Sequence, residues 1–227
     1  AGGHLMISTA CLGGPLSYEV FKQIQGVEFD DLSPDLLNDQ ALMERVMTNI
    51  GNTYDRLVDS VGDAAFLELQ FNQLSAQHLV NRALIEFANR NSLQERLIVT
   101  CDSHYSSPDH WKERELYKKL GWLNFKDIGP DSLPNAKEDL KCELYPKNAK
   151  QVWESFIETT KGMDFYDSAV VCDAIERTHD IAYDMIGDIT SPSREVAQEK
   201  TLKVNQSEDE DELKNQGENG QTSLSDF

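Results

Sequence analysis

The sequence predicts an α/β fold in which short parallel strands alternate with helices. Three apolar runs, at residues 4–9, 65–71 and 97–101, have the length and composition of buried strands. Segments with helical periodicity separate these runs. Because a strand–helix–strand unit pairs its strands in parallel through a right-handed crossover, the order β-α-β-α-β predicts a parallel sheet covered by helices.

The first helical region comes after a turn that is predicted at residues 13–15. Ser33 and Pro34 predict a helix start, since serine can cap a helix and proline suits its first position. Apolar residues then recur with helical spacing across 37–58. This pattern predicts either one long helix or two shorter ones, ending near Gly62.

The second apolar run, 65–71, alternates with a period of two, which is typical of a half-exposed strand. Its polar residues Glu68 and Gln70 either line the carboxyl edge of the sheet or simply face solvent. A segment with clear 3.6-residue periodicity extends from Ser75 to Ala88 and predicts the helix that leads to the third strand.

Helices are also predicted in the second half of the chain, at 109–120, 148–161 and 167–186, with an irregular Gly- and Pro-containing stretch at 122–146. From about residue 190 the chain becomes acidic and polar and loses periodicity. Such a segment cannot bury enough apolar surface to offset its ordering entropy, so 190–227 is predicted to be a disordered acidic linker or insertion. An acidic interaction tail is the alternative.

Charge and composition exclude several classes of protein. A formal net charge of -19 argues against nucleic-acid binding by bulk electrostatics, so contact with DNA would need a local basic patch or another part of a larger polypeptide. The sequence contains no run of about 18 apolar residues, so it predicts no membrane-spanning helix. Four scattered cysteines without Cys-x-x-Cys spacing favour a reducing, cytoplasmic location. Because the chain lacks an initiator Met and starts almost at once in an apolar run, we expect the protein to begin further upstream.

Chemically active residues come after two of the predicted strands. Asp102 and His104 come directly after the third strand, and Cys11 comes after the first. In parallel α/β folds functional groups gather at the carboxyl ends of the strands. A carboxylate, an imidazole and a thiolate suit Zn²⁺, and less closely Mn²⁺ or Fe²⁺. By spacing alone, Asp102 could equally cap the next element, and Cys11 could be a small buried hydrophobe.

Other residues carry weaker signals. His78 and His179 fall within predicted helices, and we expect both at the surface or at the rim of the sheet. Cys101 faces away from Asp102 and is expected in the core. The sequence shows no Gly-rich phosphate loop, no Ser-His-Asp order and no paired catalytic carboxylates.

Three stretches, in order and in spacing, resemble the alpha subunit of bacterial or phage-encoded DNA polymerase III. “GGHLMISTACLGG” resembles its Gly-Leu-Ile-x-x-Ser-x-Cys-Leu-x-Gly segment. “VGDAAFLELQFNQLSAQHLVNRALIEFANR” resembles its Phe-Gly-Asp…Leu-Glu-Leu-Gln pattern, and “LIVTCDSHYSSPDHWKERELYKKL” its Val-Ala-Thr-Asn-Asp-x-His-Tyr segment. “ELYPKNAKQVWESF” and “AIERTHDIA” are similar to the family's subsequent segments, so the resemblance covers roughly residues 2–188.

The resemblance implies a more specific fold than periodicity does. The corresponding region of the family is the polymerase and histidinol phosphatase (PHP) domain, a distorted (β/α)7 barrel. It implies that residues 1–125 form the later part of this barrel. Residues 126–189 would then be a helical extension toward the polymerase palm, followed by the acidic tail at 190–227.

The resemblance also implies a metal site. Cys11 matches the Cys of the family's Ser-x-Cys motif, and Asp102 and His104 match its Asp-x-His motif. These residues would be ligands of a divalent metal ion, Zn²⁺ or Mn²⁺. The family's other ligands would lie upstream of Ala1, and the polymerase aspartates with their Mg²⁺ downstream of Phe227. This segment alone is therefore expected to be inactive.

The implied function is that of a replicative DNA polymerase, whose partners are DNA, deoxynucleotides and other replisome subunits. Within it the PHP domain would be either a metal-dependent 3′–5′ exonuclease or a structural element. Two alternatives are a stand-alone metal-dependent PHP phosphoesterase and a non-enzymatic binding module that uses its acidic tail. A barrel that lacks its first strands would leave an open sheet edge, so poor solubility is expected for the segment alone.

Overall fold

Strands and helices alternate in the computed structural model, which describes residues 5–24, 32–122 and 140–185. The strands are β1 (Ile7–Ser8), β2 (Ala65–Leu69) and β3 (Leu97–Val99). The helices are α1 (Pro15–Phe21), α2 (Pro34–Leu37), α3 (Gln40–Val61), α4 (Ser75–Arg90), α5 (Trp111–Trp122), α6 (Ala149–Thr159) and α7 (Ser168–Asp180). A π-helical turn, Ile181–Met185, comes after α7. None of these described helices has the length and apolar character needed to cross a membrane.

The three strands form a parallel sheet in the order β1-β2-β3, so the predicted α/β class is confirmed. Ile7 pairs with Ala65, and Leu67 pairs with Leu97. Each strand is shorter than its apolar run. Ala10 and Asp102 have left-handed backbone, with φ of 61° and 46°, which ends the extended conformation beyond β1 and β3.

The sheet within the described residues is open rather than closed into a barrel. No described strand lies beyond β1, and Leu5 just before it is 63% exposed. The other edge, along β3, is covered by α7. Thr178 Oγ1 accepts from the Val99 N–H at 3.2 Å and donates to the Val99 carbonyl at 2.9 Å, and Arg177 donates to the Leu97 carbonyl at 2.6 Å. The (β/α)7 barrel therefore stays a prediction.

The region predicted as one long helix or two shorter ones is the four-residue α2 followed by the 22-residue α3, and their caps explain the break. Ser33 accepts from the Leu36 N–H to begin α2, and Asp39 accepts from the Leu42 N–H at 3.0 Å to begin α3. Gly62, with a φ of 63°, ends α3. Side-chain capping therefore sets the break between the helices, a point that the periodicity of the apolar residues leaves open.

The turn predicted at residues 13–15 leads directly into α1, a helix that periodicity did not predict. The Gly14 N–H donates to the Cys11 carbonyl at 2.8 Å. A Cβ on Gly14 would lie 2.1 Å from the Thr9 carbonyl oxygen, so only glycine fits there. With seven residues, α1 is too short to show a periodic pattern.

One face of the sheet packs against α3 and α4 to form the main core. Its fully buried members include Leu42, Met43, Val46, Ile50, Leu67, Leu69, Leu79, Ala83 and Leu97. The opposite face of β2 is also buried, since Phe66 is 3% exposed and Glu68 is 7% exposed. The prediction of a half-exposed strand is therefore wrong, because a parallel sheet is usually covered on both faces.

The later helices α5, α6 and α7 confirm the predicted elements with shifted ends. Residues 140–146 have no helix or strand, as predicted for the irregular stretch at 122–146 that contains them. The domain boundary predicted at 125, the boundary at 189 and the predicted disordered tail at 190–227 lie outside the described residues. The described residues up to Ala182 form one compact unit.

Candidate functional site

The residues just beyond the carboxyl ends of β1 and β3, 9–11 and 100–104, are here called the strand-end site. Both stretches contain a non-glycine residue with positive φ, Ala10 in one and Asp102 in the other. Such backbone is uncommon and costs energy, and it clusters where a fold holds functional side chains. The two strands flank β2, so the two stretches lie at the same edge of the sheet.

Asp102 and His104 are brought together. The Asp102 Oδ1 atom lies 3.5 Å from His104 Nε2, and the side chains are 31% and 49% exposed. The left-handed backbone at Asp102 ends the extended conformation of β3, so the pair lies in the loop that follows this strand. Carboxylate and imidazole are ligand types that Zn²⁺ and Mn²⁺ accept.

The backbone of this pair is anchored to the segment before α6. The His104 and Tyr105 N–H groups both donate to the Leu144 carbonyl, at 2.8 and 3.2 Å. The Leu144 N–H in turn donates to the Tyr105 hydroxyl at 2.9 Å. A loop held by both its backbone donors and a side chain presents the Asp102–His104 pair in a fixed orientation.

Cys11 lies at the end of β1, in the tight turn before α1. Its carbonyl accepts from the Gly14 N–H at 2.8 Å and from the Ser17 hydroxyl at 2.9 Å. The thiol is half-buried. Among the described residues no group of three or more His, Cys, Asp or Glu side chains is close enough to hold a metal ion, so Cys11 is not gathered with Asp102 and His104. The predicted three-residue metal site stays a prediction.

Glu68, on the central strand, is the main feature of the site that the sequence left open. Its carboxylate accepts from the Ser8 hydroxyl of the β1 side and from the Thr100 hydroxyl of the β3 side, the latter at 2.5 Å. Gln70 Nε2 donates to the same carboxylate at 2.8 Å. The Glu68 N–H donates to Thr9 Oγ1 at 2.9 Å. Glu68 therefore faces neither solvent nor an open edge of the sheet but joins all three strands.

A cleft of about 300 Å³ opens at the carboxyl end of β2. Phe71 and Asn72 line one side of it, and Lys147 and Ser155 line another. The Lys147 side chain is 8% exposed, and its Nζ donates to Ser155 Oγ at 3.0 Å and lies 3.6 Å from Glu143 Oε2. Because the buried ammonium group already has a carboxylate beside it, the cleft shows no net preference for an anion.

His78 is buried, so the prediction of a surface position is wrong, and it lies beside Asn72, just beyond the carboxyl end of β2. It is 2% exposed, with Nδ1 2.8 Å from the Tyr166 hydroxyl and Nε2 2.9 Å from the Asn72 carbonyl. Burial lowers the pKa of His78 to about 4, and the bond to Asn72 offsets this only in part. His179 is exposed as predicted, and Cys101 is half-buried and packs against the main core.

Comparison with known proteins relates the chain to DNA polymerases, although no protein-family profile matches it. It is 28% identical over 188 residues to the probable DNA polymerase YorL of Bacillus subtilis (strain 168) and to the DNA-directed DNA polymerase of Bacillus phage SPbeta. Each match covers 83% of this chain but 12% of the relative. The chain is also 34% identical over 86 residues to the DNA polymerase III subunit alpha of Aquifex aeolicus (strain VF5), which is 36% of this chain and 7% of that protein. The sequence is therefore similar to proteins named DNA polymerase, as its ordered motifs predict.

Proposed function

We propose that the chain is part of a replicative DNA polymerase alpha subunit and corresponds to its PHP region. The observation that carries this proposal is the similarity along 83% of the chain to proteins named DNA polymerase, of which it spans only 12%. DNA, deoxynucleotides, Mg²⁺ and the other replisome subunits would be bound by the larger protein. This agrees with a segment charge of -19, which is unsuited to binding DNA directly.

We further propose that the strand-end site binds a divalent metal ion, Zn²⁺ or Mn²⁺. Asp102 and His104 would supply a carboxylate and an imidazole, and their 3.5 Å separation supports a shared centre. The resemblance adds Cys11 as a third ligand, and its thiol would have to move toward the pair to bind the same ion, since the described residues do not form a group of three. Two or three ligands of these types fit the donor chemistry of such an ion but do not complete its coordination, so further ligands are required. A bound ion of this kind activates water and polarises a phosphoryl oxygen.

Primer extension by the intact protein that carries this chain tests the polymerase proposal. Templated synthesis supports it, and a protein that hydrolyses small phosphate esters without extending a primer would favour the stand-alone phosphoesterase. The same preparation is assayed for 3′–5′ digestion of DNA. If Asp102→Ala/His104→Ala abolishes this digestion while primer extension continues, the strand-end site is a nuclease site. Unchanged digestion in this variant would place any nuclease elsewhere.

A further inference from the structure

Glu68 is placed to link the two stretches of the strand-end site across the central strand. It is the fourth of the five residues of β2, and its carboxylate accepts hydrogen bonds from Ser8 and Thr100, whose side chains share its face of the sheet. We propose that Glu68 is a positioning residue that holds the ends of β1 and β3 in one arrangement, so that Cys11 and the Asp102–His104 pair stay at a fixed separation. This inference rests on the proposed metal site and extends it.

The burial and the charge of Glu68 distinguish a positioning role from ordinary packing. Glu68 is 7% exposed, and its hydrogen-bond donors among the described residues are neutral side chains. Burying a carboxylate without a cation is costly, and an apolar residue would fill the position more stably. The donors Ser8, Gln70 and Thr100 together supply hydrogen bonds to both carboxylate oxygens. A carboxylate here has a property that an apolar residue lacks, which is to bind both neighbouring strands at once.

The connections from Glu68 to the proposed ligands are short. Ser8 precedes Cys11 by three positions, with Ala10 fixed in left-handed backbone between them. Thr100 precedes Asp102 by two positions, and its N–H donates to the Leu69 carbonyl at 3.1 Å. Over so few residues, release of either hydroxyl from Glu68 changes where the strand end lies. The supporting groups around metal ligands typically alter metal affinity tenfold to a hundredfold when they are removed.

Three substitutions in the intact protein test the contacts of Glu68 one at a time. Ser8→Ala removes the carboxylate's contact with β1. Thr100→Val removes its contact on the β3 side with little change in shape, together with the 3.4 Å hydrogen bond that Thr100 Oγ1 accepts from Gln70. Glu68→Gln keeps the contacts, because a carboxamide oxygen still accepts and the Ser8 hydroxyl can accept from the new amide. Tyr54→Phe is the matched control, since it removes a buried hydrogen bond of 2.9 Å to Ala65 at the other end of β2.

Amide hydrogen exchange is the first measurement, because it does not depend on metal. Ser8→Ala should speed exchange about tenfold across residues 9–14, and Thr100→Val should do so across 100–105, whereas Glu68→Gln and Tyr54→Phe should leave both segments within about threefold of wild type. Equal exchange in all variants, or exchange that changes in every segment alike, would overturn the positioning role.

Metal affinity is the second measurement and separates this inference from the proposed function. With Zn²⁺ or Mn²⁺ as the probe, Ser8→Ala and Thr100→Val should weaken binding about tenfold or more and Tyr54→Phe should not. If wild-type protein binds no metal, the proposed metal site fails, and the positioning role is then judged on the exchange result alone. If metal binds equally well in all variants, Glu68 does not position the ligands.

Discussion

The carboxylate of Asp102 lies 3.5 Å from the Nε2 atom of His104, at a point where the backbone has just left the third strand in a left-handed conformation. This pair is the most specific chemical feature that the strand-end site offers. It connects a short sequence pattern, Asp-x-His, to a carboxylate and an imidazole that lie side by side in the loop after β3. Changes to this pair, and to the contacts that support the fold around it, should therefore have measurable consequences.

Metal removal should destabilise the wild-type protein and leave the Asp102→Ala/His104→Ala variant unaffected. An ion that binds only the folded state stabilises it by mass action, so adding Zn²⁺ or Mn²⁺ at about 100 times its dissociation constant should add about 2.7 kcal/mol. Thermal melts of the intact protein with chelator and with added metal measure this. An equal rise in melting temperature in the double variant would mean that the ion binds elsewhere.

Stability should fall as the pH drops from about 6.5 to about 4, because His78 is held neutral in the fold. The unfolded chain takes up a proton on this imidazole below its ordinary pKa, whereas the folded chain does so only near a pKa of about 4, so protons favour unfolding across this window. The loss should approach about 3 kcal/mol. Urea unfolding at several pH values measures it, and His78→Gln should remove this part of the pH dependence. If the slope stays the same in His78→Gln, another group is responsible.

Removing the Thr178 hydroxyl should loosen the edge of β3. Thr178→Val keeps the side-chain shape but leaves the Val99 N–H and carbonyl without their contacts at 3.2 and 2.9 Å. The expected loss is about 1–2 kcal/mol of unfolding free energy. Thr160→Val is the control, since the Thr160 hydroxyl bonds within its own helix end, to the Phe156 carbonyl at 2.7 Å. Equal losses in both variants would show that α7 does not protect the edge.

Gly14→Ala should be strongly destabilising and Gly13→Ala nearly neutral. A Cβ at Gly14 would lie 2.1 Å from the Thr9 carbonyl oxygen, whereas at Gly13 the nearest atom is Cys11 Sγ at 3.9 Å. Overpacking against fixed backbone costs about 3 kcal/mol. Chemical denaturation of the two variants side by side tests this, and similar midpoints would contradict the described turn at Cys11.

Local signals predicted the fold better than they predicted the chemistry. The parallel sheet and α4 arise from patterns within single segments, and the break between α2 and α3 arises from the caps Ser33 and Asp39. Strand ends were less predictable, because they depend on the φ of Ala10 and Asp102.

Long-range contacts account for the features that sequence reasoning missed. Glu68 and Gln70 have the alternating pattern of a solvent-facing strand, but Glu68 is buried, and it accepts hydrogen bonds from Ser8 and Thr100, in distant parts of the chain. His78 is buried in the same way by Tyr166, 88 residues later. The closeness of Asp102 and His104 was predictable because one residue separates them, whereas the position of Cys11 depends on how the β1–α1 turn packs.

The measurement that tests the central claim most directly is the metal content of the intact protein by mass spectrometry. Wild type is compared with Asp102→Ala/His104→Ala and with Asp109→Ala/His110→Ala, a nearby exposed pair in which His110 Nδ1 lies 2.9 Å from Ser106 Oγ. We predict stoichiometric Zn²⁺ or Mn²⁺ in wild type and in the Asp109/His110 variant, and loss of the metal in the Asp102/His104 variant. Absence of metal from all three proteins, or retention in all three, would contradict the assignment of the strand-end site.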